Sequence, residues 1–461
     1  MGVELEALGK LGQCGIAFQR RECDLGLEGG GVIPTGTTGH GGSGEVSERS
    51  LRKPACLQSM LSEQPGPLLV MRTMTSMRTR HHWAVRRLAV LPLYAILCAA
   101  CGHGDVTSTP AVLVEERTMR GDTVVVTHIS GQEWRGDGEL NEEMRIGGSD
   151  AADEYMFGRI IAMAARGEGP LYMYDDQFHQ LRMYDGNGLY VRQVGRVGRG
   201  PGEYQHIIGL TVLSDGRLAA WDAGQNRINL FSAAGDRLNE FQLLLGGGLF
   251  TAKVFTTDTA DNFLVLTLSG GRLRTLRVDS TGTIVDSIPF PRGQPFLGTS
   301  RVHASLERHL HHHGFYIWGN SDRYVIHSRT PDGRPLQLER RVAATPFGVD
   351  ERAKYQAGLD SNARRLRDDE RQRGAYESVP DVRPFFLDIR VNTDGTTWVL
   401  RSASDSTPDF FDVFSAAGSY LGAVSVPRDA TIEIFDGEHL WGTVKDEDGV
   451  ETIVRWRLAL R

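Results

Sequence analysis

The sequence predicts an all-β fold: a six-bladed β-propeller closed by an N-terminal strand, with one helical insertion between blades 4 and 5. Two observations lead there. The chain repeats with a fixed period, and each repeat carries short runs of alternating apolar and polar residues separated by turn residues. The alternation marks strands that bury one face, and the Asp-Gly and Ser-x-x-Gly turns between them mark antiparallel hairpins.

The repeat is explicit in the residues. "GPLYMYDDQFHQLRMYDGNGLYVRQV" laid over "GRLAAWDAGQNRINLFSAAGDRLNEF" aligns Gly169 with Gly216, Asp175 with Asp222, Tyr184 with Phe231 and Gly188 with Gly235, each pair 47 residues apart. A third copy, "NFLVLTLSGGRLRTLRVDSTGTIVDSI", places Gly282 a further 47 residues on. Three later copies follow, and the pentapeptide "FSAAG" recurs at Phe231 and Phe414. A unit of this length holds about four strands, which is one propeller blade. Six units fit between about Phe157 and Leu460, the last ending after its third strand at "ETIVRWRLAL". The missing outer strand is assigned to "TMRGDTVVVTHIS", Thr118 to Ser130, whose alternation suits it. Ring closure of this kind removes open sheet edges.

The step from the fourth to the fifth copy is longer than the others, and the surplus lies in "GVDERAKYQAGLDSNARRLRDDERQRGAYESVP". Arg364/Asp368 and Arg365/Asp369 there have helical i,i+4 spacing, which predicts a helical insertion over about 348–378. A salt-laced helix on the rim is the expectation, with a lid over one mouth of the ring as the functional alternative.

Upstream of the repeats the chain has a different character. "MRTRHHWAVRRLAVLPLYAILCAACGHGD" puts four arginines before an apolar run too short to span a bilayer, the pattern of a secretory signal. The run ends on Cys98-Ala99-Ala100-Cys101, which resembles a bacterial lipobox and predicts lipidation of Cys101, although Cys98 stands where leucine is usual. Residues 71–101 are therefore expected to be a signal peptide, 102–112 a tether and 113–461 the propeller. Translation is expected to start at Met71, Met74 or Met77, and residues 1–70 to be a disordered extension. All five cysteines lie at or before Cys101, so thiolate chemistry is excluded for the mature domain. A formal charge of −7 without a basic stripe argues against a nucleic-acid partner.

"VGRVGRGPGEYQHI" between the first two units has the glycine density of a phosphate loop. A phosphate loop opens a helix, whereas this stretch runs on into another strand. Gly200-Pro201-Gly202-Glu203 instead fits a type II turn, with proline presetting φ at the second position and glycine supplying positive φ at the third. With "DGRLAAWDAGQNRINLFSAAG" after it, the stretch resembles the bacterial six-bladed β-propeller lipoproteins related to NHL-repeat proteins. That resemblance covers roughly Leu113 to Leu460 and implies the fold, a lipid anchor and a late helical insertion.

Candidate site residues are those that break the repeat. "FFLDIRVNTDG" puts Asp388 and Arg390 on one face of an expected inner strand where other copies read "IIAMAAR" and "IIGLTVL". Arg301 and His303 are expected to hold the same place in "TSRVHASL". Together they predict a charged patch near the ring axis. Arg196 and Arg199 flank the junction turn and are expected to be structural or to reach a pocket at the mouth. Asp175, Asp222, Asp394 and Asp436 recur at strand ends and are expected to cap turns. "HLHHHG", with His309 and His311 to His313, has ligand-type side chains, but consecutive histidines are expected not to share one ion, which leaves a solvated loop.

Two functions follow from the sequence. The first is a lipid-anchored, non-catalytic propeller, monomeric and cofactor-free, that binds a protein, peptide or glycan at the cell envelope, in the outer membrane or periplasm. The second is a metal-dependent hydrolase or lyase of the gluconolactonase or NHL-lyase kind, with calcium as the ion to consider.

Overall fold

In a computed structural model the described residues are 112–243, 255–269, 272–291, 301–365, 378–401, 404 and 407–460. They build six antiparallel blades, and in the first five the strands follow sequence order from the axis outward. The inner strands are Ile160–Ala164, Ile207–Val212, Phe255–Thr257, Leu306–His311, Asp388–Val391 and Ala430–Asp436. The expected signal peptide, the lipobox at Cys101 and the Arg364/Asp368 and Arg365/Asp369 pairs include positions outside the described residues.

The 47-residue period has a local cause. In five blades the hairpin from third to outer strand is the same turn: the N–H of Gly188, Gly235, Gly282, Gly333 and Gly418 donates to the carbonyl three residues back at 2.8–3.0 Å. Each of these glycines has φ between +80° and +94°, a region a side chain would strain. The repeated "FSAAG" is this turn, with Ser232 Oγ accepting from the Ala234 N–H at 3.2 Å.

Apolar side chains fill the gaps between blades, not the interior of any one blade. Tyr172, Tyr174 and Leu181 of blade 1 meet Leu210, Leu218 and Phe231 of blade 2. Similar clusters join each neighbouring pair, and Trp441 and Ile453 of blade 6 meet Leu171, Met173 and Tyr184 of blade 1 to complete the circle. A blade with two apolar faces cannot be stable alone, so the ring must close.

Closure does come from an N-terminal strand, but not from the predicted one. Gly138–Ile146 pairs antiparallel with Glu451–Leu460 and supplies the outer strand of blade 6. Thr123–Ser130 pairs parallel with the outer strand of blade 4, from Val124 opposite Leu336 to His128 opposite Arg340, and Val114–Arg120 pairs with it in turn. "TVVVTHIS" has the stronger alternation and a buried Val126. "GELNEEMRI" needs only one apolar face, and Leu140, Met144 and Ile146 provide it. Between the two, the Glu133 and Trp134 N–H groups donate to Tyr420 and Leu421 on the outer strand of blade 5 at 3.2 and 2.8 Å. The N-terminal segment thus straps blades 4, 5 and 6 along their outer edges.

Among the described residues the insertion contains one helix, α1 (Val349–Arg365). Glu351 caps it by accepting from the Gly348 N–H at 3.0 Å and pairs with the buried Arg383 at 2.5 Å, while Arg352 holds Asp381 at 2.7 Å. The helix is therefore tied to its own returning chain. Among the described residues no helix is long and apolar enough to cross a membrane.

The strap sets a prediction. A chain beginning at residue 148 lacks the outer strand of blade 6 and is expected to lose cooperative melting or precipitate. A chain beginning at residue 131 loses only the hairpin on blade 4 and is expected to melt cooperatively, lower by roughly a few degrees. Calorimetry of the two truncations checks this.

Candidate functional site

In a ring of four-stranded antiparallel blades the chain enters every inner strand at one face. The hairpins from second to third strand lie at that same face, and so does the connection that carries α1. Two of the recurring aspartates, Asp175 and Asp222, brace it, whereas Asp394 and Asp436 sit at the opposite face, at the hairpins between first and second strands. Buried Asp175 accepts from the N–H groups of Gly158, Arg159, Gln177 and Phe178 at 2.7–3.2 Å, and Asp222 accepts from Gln205, His206 and Gly224 at 3.0 Å. Four or three backbone donors on one carboxylate fix the loop that leads into the inner strand.

The junction turn belongs to this bracing. Gly202 has φ +74° and the Glu203 N–H donates to the Gly200 carbonyl at 3.1 Å, the type II arrangement. Glu203 accepts from the Gly200 N–H and from Arg196, both at 2.7 Å, and these bonds hold its carboxyl below the usual range. Tyr204 is fully buried, edge-on to Tyr174, with its hydroxyl accepting from the Leu181 N–H at 3.0 Å. The Arg199 Nε lies 2.9 Å from the Gln205 side-chain amide. Arg196 lines a shallow groove with Glu203 and Arg237, apart from the cavity described next.

That cavity, of about 170 Å³, opens at the entry face between blades 5 and 6 and is lined by Arg301, Asp388, Arg390 and Asp409 over an apolar floor that includes Leu400 and Phe411. Arg390 pairs with Asp388 at 2.7 Å, and Arg301 makes a two-pronged pair with Asp409 at 3.2 and 2.5 Å. Two guanidinium groups and two carboxylates balance, so the cavity carries directed hydrogen-bonding groups without net charge. Three of the predicted residues, Asp388, Arg390 and Arg301, are thus brought together.

Arg301 and His303 do not stand on an inner strand as expected. They lie in the connection into blade 4, whose inner strand begins at Leu306. His303 is not part of the cavity lining, and its Nε2 sits 3.1 Å from the carbonyl of Ser378, which follows α1 in the chain. The inner strand is instead "LERHLH", which alternates with glutamate and histidine and so lacks the apolar run of the other copies.

That strand supplies what the sequence did not reveal. Glu307 and His309 share the face turned toward Asp388 and Arg390 of the next inner strand. Glu307 is 6% exposed and accepts from the Ser305 hydroxyl at 2.5 Å. Burial, opposed by that bond and reinforced by the nearby Asp388 charge, pushes its carboxyl up to about 7. Burial pushes the His309 imidazole down to about 3, so it is neutral. The expected solvated histidine loop is also corrected: His309 and His311 are strand residues, His311 is buried, and only His312 and His313 occupy the turn. Nor do the consecutive histidines point apart, since ligand-type atoms of His311, His312 and His313 lie within 4.8 Å of one another.

Residues 151–245 match a family described as 6-bladed beta-propeller, and the chain is a six-bladed β-propeller. No curated protein matches it. A Bacteroides fragilis protein described as exported is similar in structure, with 12% identity, 73% of this chain and 99% of that chain covered, and a TM-score of 0.43. Others are the Staphylococcus aureus virginiamycin B lyase solved with quinupristin, at 13%, 70% and 100% with 0.35, and the PQQ-bound aldose sugar dehydrogenase of Streptomyces coelicolor, at 12%, 71% and 100% with 0.37. At this similarity none of their activities is carried to this chain.

Glu307 gives a pH dependence. Its folded value is raised from 4.5 to about 7, so between those values the folded state binds more protons than the unfolded one and stability falls as pH rises. Wild type is expected to lose on the order of 3 kcal/mol between pH 4.5 and 7 from this group, and Glu307→Gln to remove that slope. Urea unfolding of both proteins across pH 4–8 checks this.

Proposed function

We propose that this chain is an exported, lipid-anchored and non-catalytic propeller that binds a peptide, glycan or protein segment at the cell envelope through the entry-face cavity. The observation that carries this reading is the convergence of Arg301, Asp388, Arg390 and Asp409 on one charge-balanced cavity with an apolar floor. Such a lining suits a neutral ligand rich in hydroxyl or amide groups, which takes directed hydrogen bonds at one side and stacks or packs at the other. Anchoring at Cys101 and export rest on the signal-like segment that ends there.

The test is a panel of oligosaccharides and peptides titrated against wild type and Arg301→Ala, the latter chosen because its side chain is about half exposed and tolerates truncation. A bound ligand is expected to lose about tenfold or more in affinity in the variant. Binding unchanged in Arg301→Ala and in Asp409→Asn, or turnover of a panel member, would overturn the proposal.

The metal-dependent alternative has one observation in its favour: carboxylates from two blades meet here, with the Asp388 charge close enough to raise the Glu307 carboxyl. An ion there would have to draw Asp388 away from Arg390. Calcium in excess is therefore expected to leave the melting temperature of wild type unchanged. A rise of several degrees that Asp388→Asn abolishes would place the alternative first.

A further inference from the structure

At the face opposite the cavity, the inner strand of blade 4 ends in a turn that carries three imidazoles side by side. We propose that His311, His312 and His313 form a binding site for a late first-row divalent ion of the zinc type. The Gly314 N–H donates to the His311 carbonyl at 2.8 Å, and Gly314 has φ +79°, so the tight turn folds three consecutive side chains to one side. This site is separate from the proposed ligand cavity, and neither depends on the other.

The three rings are close enough to converge on one ion. Their centres lie 4.1–5.0 Å apart and their ligand-type atoms lie within 4.8 Å of one another. An ion bound at about 2.1 Å needs those atoms about 3.4 Å apart, so the rings, His311 and His313 now nearly parallel at 17°, turn toward one another on binding. Stacking of His311 on Phe315, centres 4.4 Å apart, holds the first ring in place.

Ligation by His311 exchanges the hydrogen bond that its Nδ1 accepts from the His313 N–H, 3.0 Å, for a metal bond. One such hydrogen bond is a small loss against three metal–nitrogen bonds.

The experiment titrates the full chain with Zn²⁺ by calorimetry and with Co²⁺ by visible absorption, against His313→Gln and the His312→Gln/His313→Gln pair. His313 is exposed, so the single variant is expected to fold as wild type does. The expected result is one fewer equivalent of Zn²⁺ and loss of one cobalt absorption signal in the double variant, and about tenfold weaker binding in His313→Gln. Equal stoichiometry and affinity in wild type and His313→Gln would overturn the proposal.

Discussion

The pairing of Gly138–Ile146 with Glu451–Leu460 is the contact on which the ring depends, because it turns a row of blades into a closed circle. Eight residue pairs join the two strands, from Gly138 opposite Leu460 to Ile146 opposite Ile453, with one bulge between them. Each blade has two apolar faces, and the pair at the seam, blades 6 and 1, buries Trp441, Ile453 and Tyr184 only when the seam is shut. An open ring would expose those side chains and an unpaired strand edge together, the combination most prone to aggregate. The strap that leads to the seam passes blades 4 and 5 on the way, so closure also fixes the blades around the cavity.

Polar contacts then decide where the blades stand. Asp412 is fully buried in blade 5 and accepts from Tyr324 of blade 4 at 2.7 Å and from Tyr420 at 3.1 Å, while Arg340 and Arg401 pair with it. Arg340 also lies over the Tyr420 ring, 3.9 Å from its centre. A buried carboxylate is tolerable only when surrounded in this way, and the surrounding groups come from both blades. Blades 4 and 5 are thereby locked together despite the long insertion between them. Their inner strands face each other with Glu307 and His309 on one side and Asp388 and Arg390 on the other. The entry face gathers cavity, bracing aspartates and helix, and the far face carries the three histidines.

Most of the fold is legible in the sequence because a propeller repeats its constraints. The glycine that needs positive φ returns in blade after blade, and so do the aspartate that gathers backbone N–H groups and the aromatic that fills an interblade gap. Asp388, Arg390 and Arg301 stood out because they break that pattern. What escaped has a physical reason. A strap strand needs one apolar face, so "GELNEEMRI" hid behind the more regular "TVVVTHIS". The inner strand of blade 4 puts Glu307, His309 and His311 on its buried face, and periodicity read from apolar residues alone cannot see a strand whose inward side is polar. The gathering of His311 to His313 depends on a turn at Gly314, which spacing does not show.

Native-state amide hydrogen exchange tests the central claim most directly. If closure holds the ring as one unit, the amides of Gly138–Ile146 and of Glu451–Leu460 open with the same free energy as those of Leu218–Asp222, deep in blade 2 on the far side of the sequence. If the seam amides exchange through a separate opening of much lower free energy while blade 2 stays protected, the strap is an accessory and the blades are held by something else.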